Sequence, residues 1–485
     1  MGEPEFLTSD PAAHAALASA AAAVAGALAA ADARHPGPWS GIDPAELERG
    51  IAALDPCPER GLGLTAVLGE VTGAVLAHGL RVADPRTAAH LHPPALLAAA
   101  AAELAIGATN QSLDAFDASP AATLVEDHLV GWLAGLLGLP AGATGVMTSG
   151  GTASNLYGLL LAREHAARRT GAAVARDGLP AEARDWRILT SEAAHFSVRR
   201  AAGILGLGSQ AVVSVATDAR GRMDVAALDA TLARLERGGR EAIAIVATAG
   251  TTDLGAIDPI AALADRAAAT GAWLHVDAAL GAGLALSPRL GAWLDGLARA
   301  DSVTADLHKL FWIPFAASAL LVRDPVLLEP VRHHADYLNR AEDEAAGTVN
   351  LATRSLDTSR RFDALKVLVA LRATGRARMA ELVEHVVALT RGAAEAVARH
   401  PELELLAEPS TVTVVFRAAG GDELNTEVAR RLFASGRAVI GRTRLGGAVA
   451  LKLTLVNPLA TAADVDALLG LIAGEAARLR GVRRP

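Results

Sequence analysis

From about residue 188 the chain alternates short apolar runs with longer helical patterns. Ile188–Ser191, Val212–Ala216, Ala242–Thr248 and Trp273–Ala279 read as strands. Asp224–Leu235 and Pro259–Ala269, with apolar residues three and four apart, read as the helices between them. This strand–helix rhythm predicts an α/β chain with a mostly parallel, doubly wound sheet. Ser318–Val322 is a further apolar run of strand length. The N-terminal region predicts helices only. Asp10-Pro11 is a cap and first turn ahead of an apolar stretch from Ala12 to Ala31, and Asp43-Pro44, with Glu46 placed for a capping box, opens a second helix to about Leu54. Residues 61–105 are Ala- and Leu-rich helices, and another helix runs from about Ala121 to Leu137. The last ~110 residues suit a smaller α+β domain. Its helices lie near Met379–Arg399 and Asp422–Ala434, and its strands at Val412–Arg417 and Val449–Val456. The expected organisation is a helical segment 1–85, a large domain 86–375 and a small domain 376–485.

Composition narrows the function. With 485 residues the chain exceeds a single core, and 52% hydrophobic with 20% charged residues marks it as globular. A net charge of −8 without a dominant basic run argues against nucleic acid and anionic membrane as partners. Cys57 is the only cysteine, so no intrachain disulfide forms and a reducing, cytoplasmic setting fits. The stretch Ala12–Ala31 is long enough to span a bilayer. It is mostly Ala, contains His14 and follows acidic residues rather than basic ones, so it reads as a buried or interfacial helix. His90 and His92 lack a third ligand nearby, and no metal site is expected.

The candidate chemistry sits at strand ends, where ligands bind in such sheets. Asp277 ends an apolar run, and a buried carboxylate there needs a cationic partner. Lys309 follows a second short strand among apolar neighbours, where desolvation would make it a nucleophilic amine. Pyridoxal phosphate meets both needs, since it binds a lysine amine covalently and presents a ring nitrogen to a carboxylate. Upstream, Ser149-Gly150-Gly151-Thr152 precedes a helix, where glycines admit a phosphate to free N–H groups.

His275-Val-Asp-Ala-Ala279 followed by His308-Lys309 resembles the group II pyridoxal-phosphate-dependent amino-acid decarboxylases, from about residue 60 to the C-terminus. The resemblance implies fold type I and a homodimer wrapped by N-terminal helices. It implies that Gly150, Gly151 and Thr152 hold the phosphate. His195 would stack on the cofactor ring beside the substrate carboxylate. Thr248 would touch the ring, Asp277 would bind its nitrogen, and Ala279 would pack beneath it. Lys309 would carry the cofactor, next to His308. Where the family often has Asn-Pro-His-Lys, this chain has Asp306-Leu307-His308-Lys309, and an acid beside a phosphate is electrostatically awkward. Asp336-Tyr337-Leu338-Asn339 and Ser355 to Lys366 are similar to the bacterial diaminobutyrate branch. Counting back without gaps from Arg360-Arg361-Phe362, the catalytic Tyr of the aromatic-type enzymes falls on Leu351, so His195 or a water must supply that proton.

The implied reaction is α-decarboxylation of an amino acid. Aromatic residues make up 3% of the chain, which disfavours a heavily aromatic pocket. A basic diamino acid would need a carboxylate for its second ammonium, and Asp114 and Asp117 are the candidates. The alternatives are an aromatic or acidic substrate, or an oxygen-using variant that forms an aldehyde. An aminotransferase fits the His195 and His308-Lys309 context less well. A non-enzymatic binding protein would be expected to lack Asp277 or Lys309.

Overall fold

The computed structural model describes residues 5–335, 338 and 340–482. Among them are twelve strands: β1 Thr87–Ala88, β2 Thr144–Thr148, β3 Trp186–Ser191, β4 Val212–Val215, β5 Glu241–Thr248, β6 Trp273–Asp277, β7 Ser302–Asp306, β8 Ser318–Val322, β9 Leu403–Ala407, β10 Thr413–Ala418, β11 Val439–Leu445 and β12 Ala448–Thr454. The chain divides into two compact units. One holds residues 92–391 and 407–413; the other holds 1–91, 392–406 and 414–485. Where the sequence suggests separate first and last segments, both fall in one unit, and its boundary cuts the helix Arg376–Arg399. The physical link is β1, which pairs in parallel with β11 through Thr87–Val439 and Ala88–Ile440. Trp39 adds to it by stacking on Phe433 at 5.0 Å and donating its indole N–H to the Phe433 carbonyl.

The larger unit is built on a seven-stranded sheet in the order β2-β8-β7-β6-β5-β3-β4. Neighbours from β7 to β4 pair in parallel, and β8 runs antiparallel to both β7 and β2. The predicted mostly parallel, doubly wound sheet is therefore present, with one reversed strand. Two reversals return β2 to the direction of β7, so the carboxyl ends of β2, β5, β6 and β7 share one edge. Ile243, Ile245, Val246 and Val276 are fully buried in the central strands. Each contributes on the order of 1.5–3 kcal/mol. The helix Gly151–Arg169 packs across β6, β7 and β8.

The smaller unit carries the five-stranded sheet β1-β11-β12-β10-β9. Its strands β1, β9 and β11 are not foreseen by hydrophobic pattern. β1 has two residues, and β11 alternates late, with Arg442 and Arg444 exposed. The predicted N-terminal helix forms over Pro11–Arg34, with the Asp10 carboxylate accepting the Ala12 N–H. Only Ala13 and Ala31 of it are buried, so where the sequence suggests a buried or interfacial helix, this one is not buried within the chain. Among the described residues it is the one helix long and apolar enough to cross a membrane.

One buried ion pair ties the larger unit together. Glu126, wholly buried on the helix Pro120–Leu136, accepts from Arg360 (2.5 Å) and from the Met147 N–H of β2 (3.1 Å). Burial still pushes its pKa up, more than Arg360 pulls it down. Arg360→Met should destabilise the fold by about 3–5 kcal/mol, because it strands a buried charge. Glu126 in that variant takes up a proton on folding, so the folded state binds more protons than the unfolded chain and stability falls as pH rises. Urea melts of both proteins at pH 5 and pH 8 should show the larger deficit at pH 8; an equal or smaller deficit there contradicts this account.

Candidate functional site

Strand alternation builds the site. On β6 the period of two turns Trp273, His275 and Asp277 to one face, and on β7 it does the same for Ser302, Thr304 and Asp306. All six are buried. The register sets His275 beside Ser302 and Asp277 beside Thr304. Two adjacent central strands thus share a polar seam within an apolar sheet, and every group in it needs a partner. The helix Gly151–Arg169 supplies the central one. Asn155 donates from Nδ2 to Asp277 Oδ2 (2.7 Å) and to Ser197 Oγ (2.9 Å). Its Oδ1 accepts from Thr304 Oγ1 (2.7 Å) and lies 3.0 Å from His275 Nε2. Ser302 Oγ accepts from the Trp273 indole N–H and contacts His275 Nδ1, each at 2.8 Å. Gly158, one turn after Asn155, is the notch that admits the His275 ring. A Cβ there would stand 2.5 Å from His275 Cε1 and Nδ1. Burial holds the His275 pKa well below its ordinary value, although Asp277 opposes the shift.

The predicted residues gather at the carboxyl edge. Asp277, 6% exposed, also accepts the Ala279 N–H at 3.1 Å. Lys309 Nζ lies 2.9 Å from Asp306 Oδ2, and His308 Nε2 is 3.5 Å from the same oxygen. The lysine is thus ion-paired, where sequence suggests apolar neighbours alone. His308 Nδ1 donates to the Ala317 carbonyl at 2.7 Å. His195 Nδ1 is 2.9 Å from Ser197 Oγ. The His195 pKa is lowered, chiefly by burial, and the charges of Asp277, Lys309 and Asp306 all act on it. Gly150 begins the helix at φ 152°, a conformation open to glycine. A Cβ on Gly151 would meet the Asp306 carboxylate at 3.0–3.1 Å and Ala279 Cβ at 3.3 Å. The helix's own ladder leaves the N–H groups of Gly151 and Thr152 free.

This donor set fits pyridoxal phosphate. Thr248 Oγ1 and Asp306 Oδ1 are buried with no hydrogen-bond partner among the described residues. Three lysines occur in the chain: 309, 366 and 452. Lys366 is wholly buried between Glu103, Asp363 and the Ala316 carbonyl, whereas Lys309 follows β7 and meets Asp306 at its carboxyl end. Lys309 is therefore the amine at this edge. A cavity of about 340 Å³ opens at the carboxyl end of β2, lined by Thr148, Ser149, Ala316 and Arg360, and none of the predicted site residues lines it. A larger cleft of about 690 Å³, by Arg222, Asp258, Trp293 and Arg391, contains none of the predicted site residues.

No hydrogen bond or ion pair joins Asp114 or Asp117 to this cluster among the described residues. Asp114 is half-buried, and its Oδ1 accepts the Ala115 N–H; Asp117 is exposed. Leu351 is buried, and among the described residues no three metal-ligating side chains cluster. Asp336, Tyr337 and Asn339 lie outside the described residues. Sequence reasoning assigned no role to Asn155, Ser197, Ser302 or Thr304, nor one of its own to His275. The available signal was polar residues two apart in strands that otherwise read as core.

The family model for the pyridoxal-dependent decarboxylase conserved domain matches residues 53–419. The L-2,4-diaminobutyrate decarboxylase of Rhizobium meliloti (strain 1021) is 45% identical over 446 residues, covering 91% of this chain and 87% of that protein. The solved glutamate decarboxylase domain of diaminobutyrate-pyruvate transaminase and L-2,4-diaminobutyrate decarboxylase from Vibrio parahaemolyticus superposes with a TM-score of 0.89. It is 36% identical and covers 98% of both chains. The structure of Oryza sativa TDC with PLP and tryptamine gives a TM-score of 0.88 at 25% identity, covering 98% of this chain and 99% of that one.

The notch at Gly158 offers a direct check. Gly158→Ala would drive a methyl into His275 and push it off Asn155. Overpacking of this kind costs typically about 1–3 kcal/mol. We expect a lower melting temperature together with weaker binding of added pyridoxal phosphate, followed by calorimetry and by absorbance titration. Wild-type values in both would show that the ring does not depend on the notch.

Proposed function

The chain belongs to the family of pyridoxal-dependent decarboxylases, and we propose that its substrate is a basic diamino acid, L-2,4-diaminobutyrate first, with lysine or ornithine behind it. It is a pyridoxal-phosphate-dependent carboxy-lyase acting on an amino acid. The extent of its likeness to the Rhizobium meliloti enzyme is the observation that carries the substrate choice.

Pyridoxal phosphate, when bound, supplies an electron sink for the pair left on Cα as the carboxylate departs. In our reading Lys309 holds it through Nζ, and Gly150, Gly151 and Thr152 offer backbone N–H groups to its phosphate. Asp277, fixed by Asn155 and the Ala279 N–H, keeps a proton on the ring nitrogen. Thr248, whose Oγ1 is buried and unpartnered among the described residues, would contact the ring. Ala279 leaves room beneath it. Asp306 and His308 flank the lysine and set its approach. His195 would stack on the ring, beside the substrate carboxylate. With Leu351 apolar at the position where the aromatic-type enzymes carry a Tyr, His195 or a water returns the proton to Cα.

Asp114 and Asp117 are assigned to the substrate's second ammonium, on the ground that a charged amine entering a pocket requires an acidic partner. The same leucine favours a second reading, an oxygen-using decarboxylase that releases an aldehyde; peroxide and ammonia assays separate the two. We also propose a cytoplasmic homodimer with no membrane role. Exposed Val24, Leu28, Ile51, Leu64 and Val67 of the N-terminal helices support a second copy, since each is apolar surface left in water. The single, exposed Cys57 suits a reducing compartment.

A carbon dioxide release screen across the amino acids with added pyridoxal phosphate should peak on L-2,4-diaminobutyrate. Lys309→Ala should abolish release, and a fully active variant would end the assignment of that amine. Asp114→Asn and Asp117→Asn should raise KM for the diamino acid selectively, by about tenfold or more for loss of a charged hydrogen bond. Unchanged kinetics in both would remove them from the substrate site.

A further inference from the structure

Asn155 uses all of its hydrogen-bonding capacity: two donors to Asp277 and Ser197, two acceptor positions toward His275 and Thr304. Its orientation has no alternative. A flipped amide would set Oδ1 against the Asp277 carboxylate at 2.7 Å, and both atoms only accept there. With Nδ2 donating to Ser197 Oγ, the serine oxygen is an acceptor on that side. With one lone pair so used, its own proton is available to its remaining partner among the described residues, His195 Nδ1, at 2.9 Å. The Ser197 backbone N–H, which can only donate, points at the same nitrogen from 3.3 Å. Nδ1 of His195 is thus an acceptor, and the ring's proton belongs on Nε2.

The same logic orders the other end of the seam. Trp273 Nε1 can only donate, so Ser302 Oγ accepts from it and gives its proton to His275 Nδ1. His275 therefore carries its proton on Nε2 and donates it to Asn155 Oδ1. From Trp273 to His195 the donors and acceptors fall into one consistent order, and Asn155 is where the two branches meet.

We propose that Asn155 is a positioning residue that fixes, through Ser197, which nitrogen of His195 carries the proton. His195 then presents Nε2–H to whatever occupies the site. A neutral imidazole held in this form is a hydrogen-bond donor toward an anionic group, such as a substrate carboxylate or carbon-centred charge. It is not a base on that edge. The identity of that occupant rests on the decarboxylase reading; the proton arrangement does not.

The test is nitrogen NMR of full-length protein loaded with pyridoxal phosphate and labelled at histidine nitrogens. The His195 signals are those lost in His195→Gln. In the wild type Nδ1 should resonate as an unprotonated nitrogen and Nε2 as a protonated one. A protonated Nδ1 would overturn the proposal at once, whether or not the protein releases carbon dioxide from any amino acid. Asn155→Asp replaces the amide donor by an oxygen that accepts from Ser197. The serine then turns its lone pair to His195, and the populations should shift toward Nδ1–H. An unchanged tautomer would exclude Asn155 as the cause. Ser197→Ala cuts the link while leaving the helix intact, and should move the His195 signals toward the average of the two tautomers. Signals that stay at their wild-type positions would contradict the route through Ser197. A merely structural role for Asn155 would lower stability without moving these resonances.

Discussion

A carboxylate at the end of a central strand cannot be left bare, and the arrangement at Asp277 follows from that constraint. Burying it without partners would cost several kcal/mol. The strand itself offers one N–H, from Ala279, two residues on. The other donor has to come from the layer above, and Asn155 on the helix Gly151–Arg169 reaches down to give it. Once that amide is in place its carbonyl needs donors, which Thr304 and His275 provide, and His275 in turn needs Ser302. The polar seam between β6 and β7 is the sum of these obligations. It also demands the notch at Gly158, because a helix carrying Asn155 this close to the sheet has no space for a side chain over His275.

The fold was legible in the sequence because its larger unit obeys simple periodicities. The strands β3 to β6 and the helices Val225–Arg237 and Ile260–Thr270 fall within a few residues of the positions that hydrophobic pattern assigns. The reversed strand β8 reads as one more apolar run, since direction leaves no mark on composition. β1 and β11 escaped notice because pairing, rather than pattern, makes them strands. The same pairing gathers the two ends of the chain into one unit, which no local signal announces.

The site was legible where a residue's chemistry is out of place in its local sequence. Asp277, Lys309 and the glycines at 150 and 151 are of that kind, and the structure sets them along one strand edge. Asn155, Ser302 and Thr304 are small polar residues that pass as ordinary helix and strand positions until the register of β6 against β7 puts them face to face. Asp306 shows the opposite limit. Its neighbourhood to a phosphate looked unfavourable in sequence, and in space its Oδ2 meets Lys309 while Oδ1 stays buried without a partner among the described residues. Asp114 and Asp117 make no hydrogen bond to the seam among the described residues, so the seam's own demands neither require nor exclude them.

The account's central claim is that the acid and the amine at this edge exist to hold one aromatic aldehyde, with the amine supplied by residue 309. The scarcity of lysine makes that claim unusually easy to examine, since only three are present. Protein incubated with pyridoxal phosphate, reduced with borohydride and digested should carry the mass of the reduced cofactor on the peptide containing Lys309 alone. Label on Lys366 or Lys452, or no stoichiometric label at all, would contradict the account.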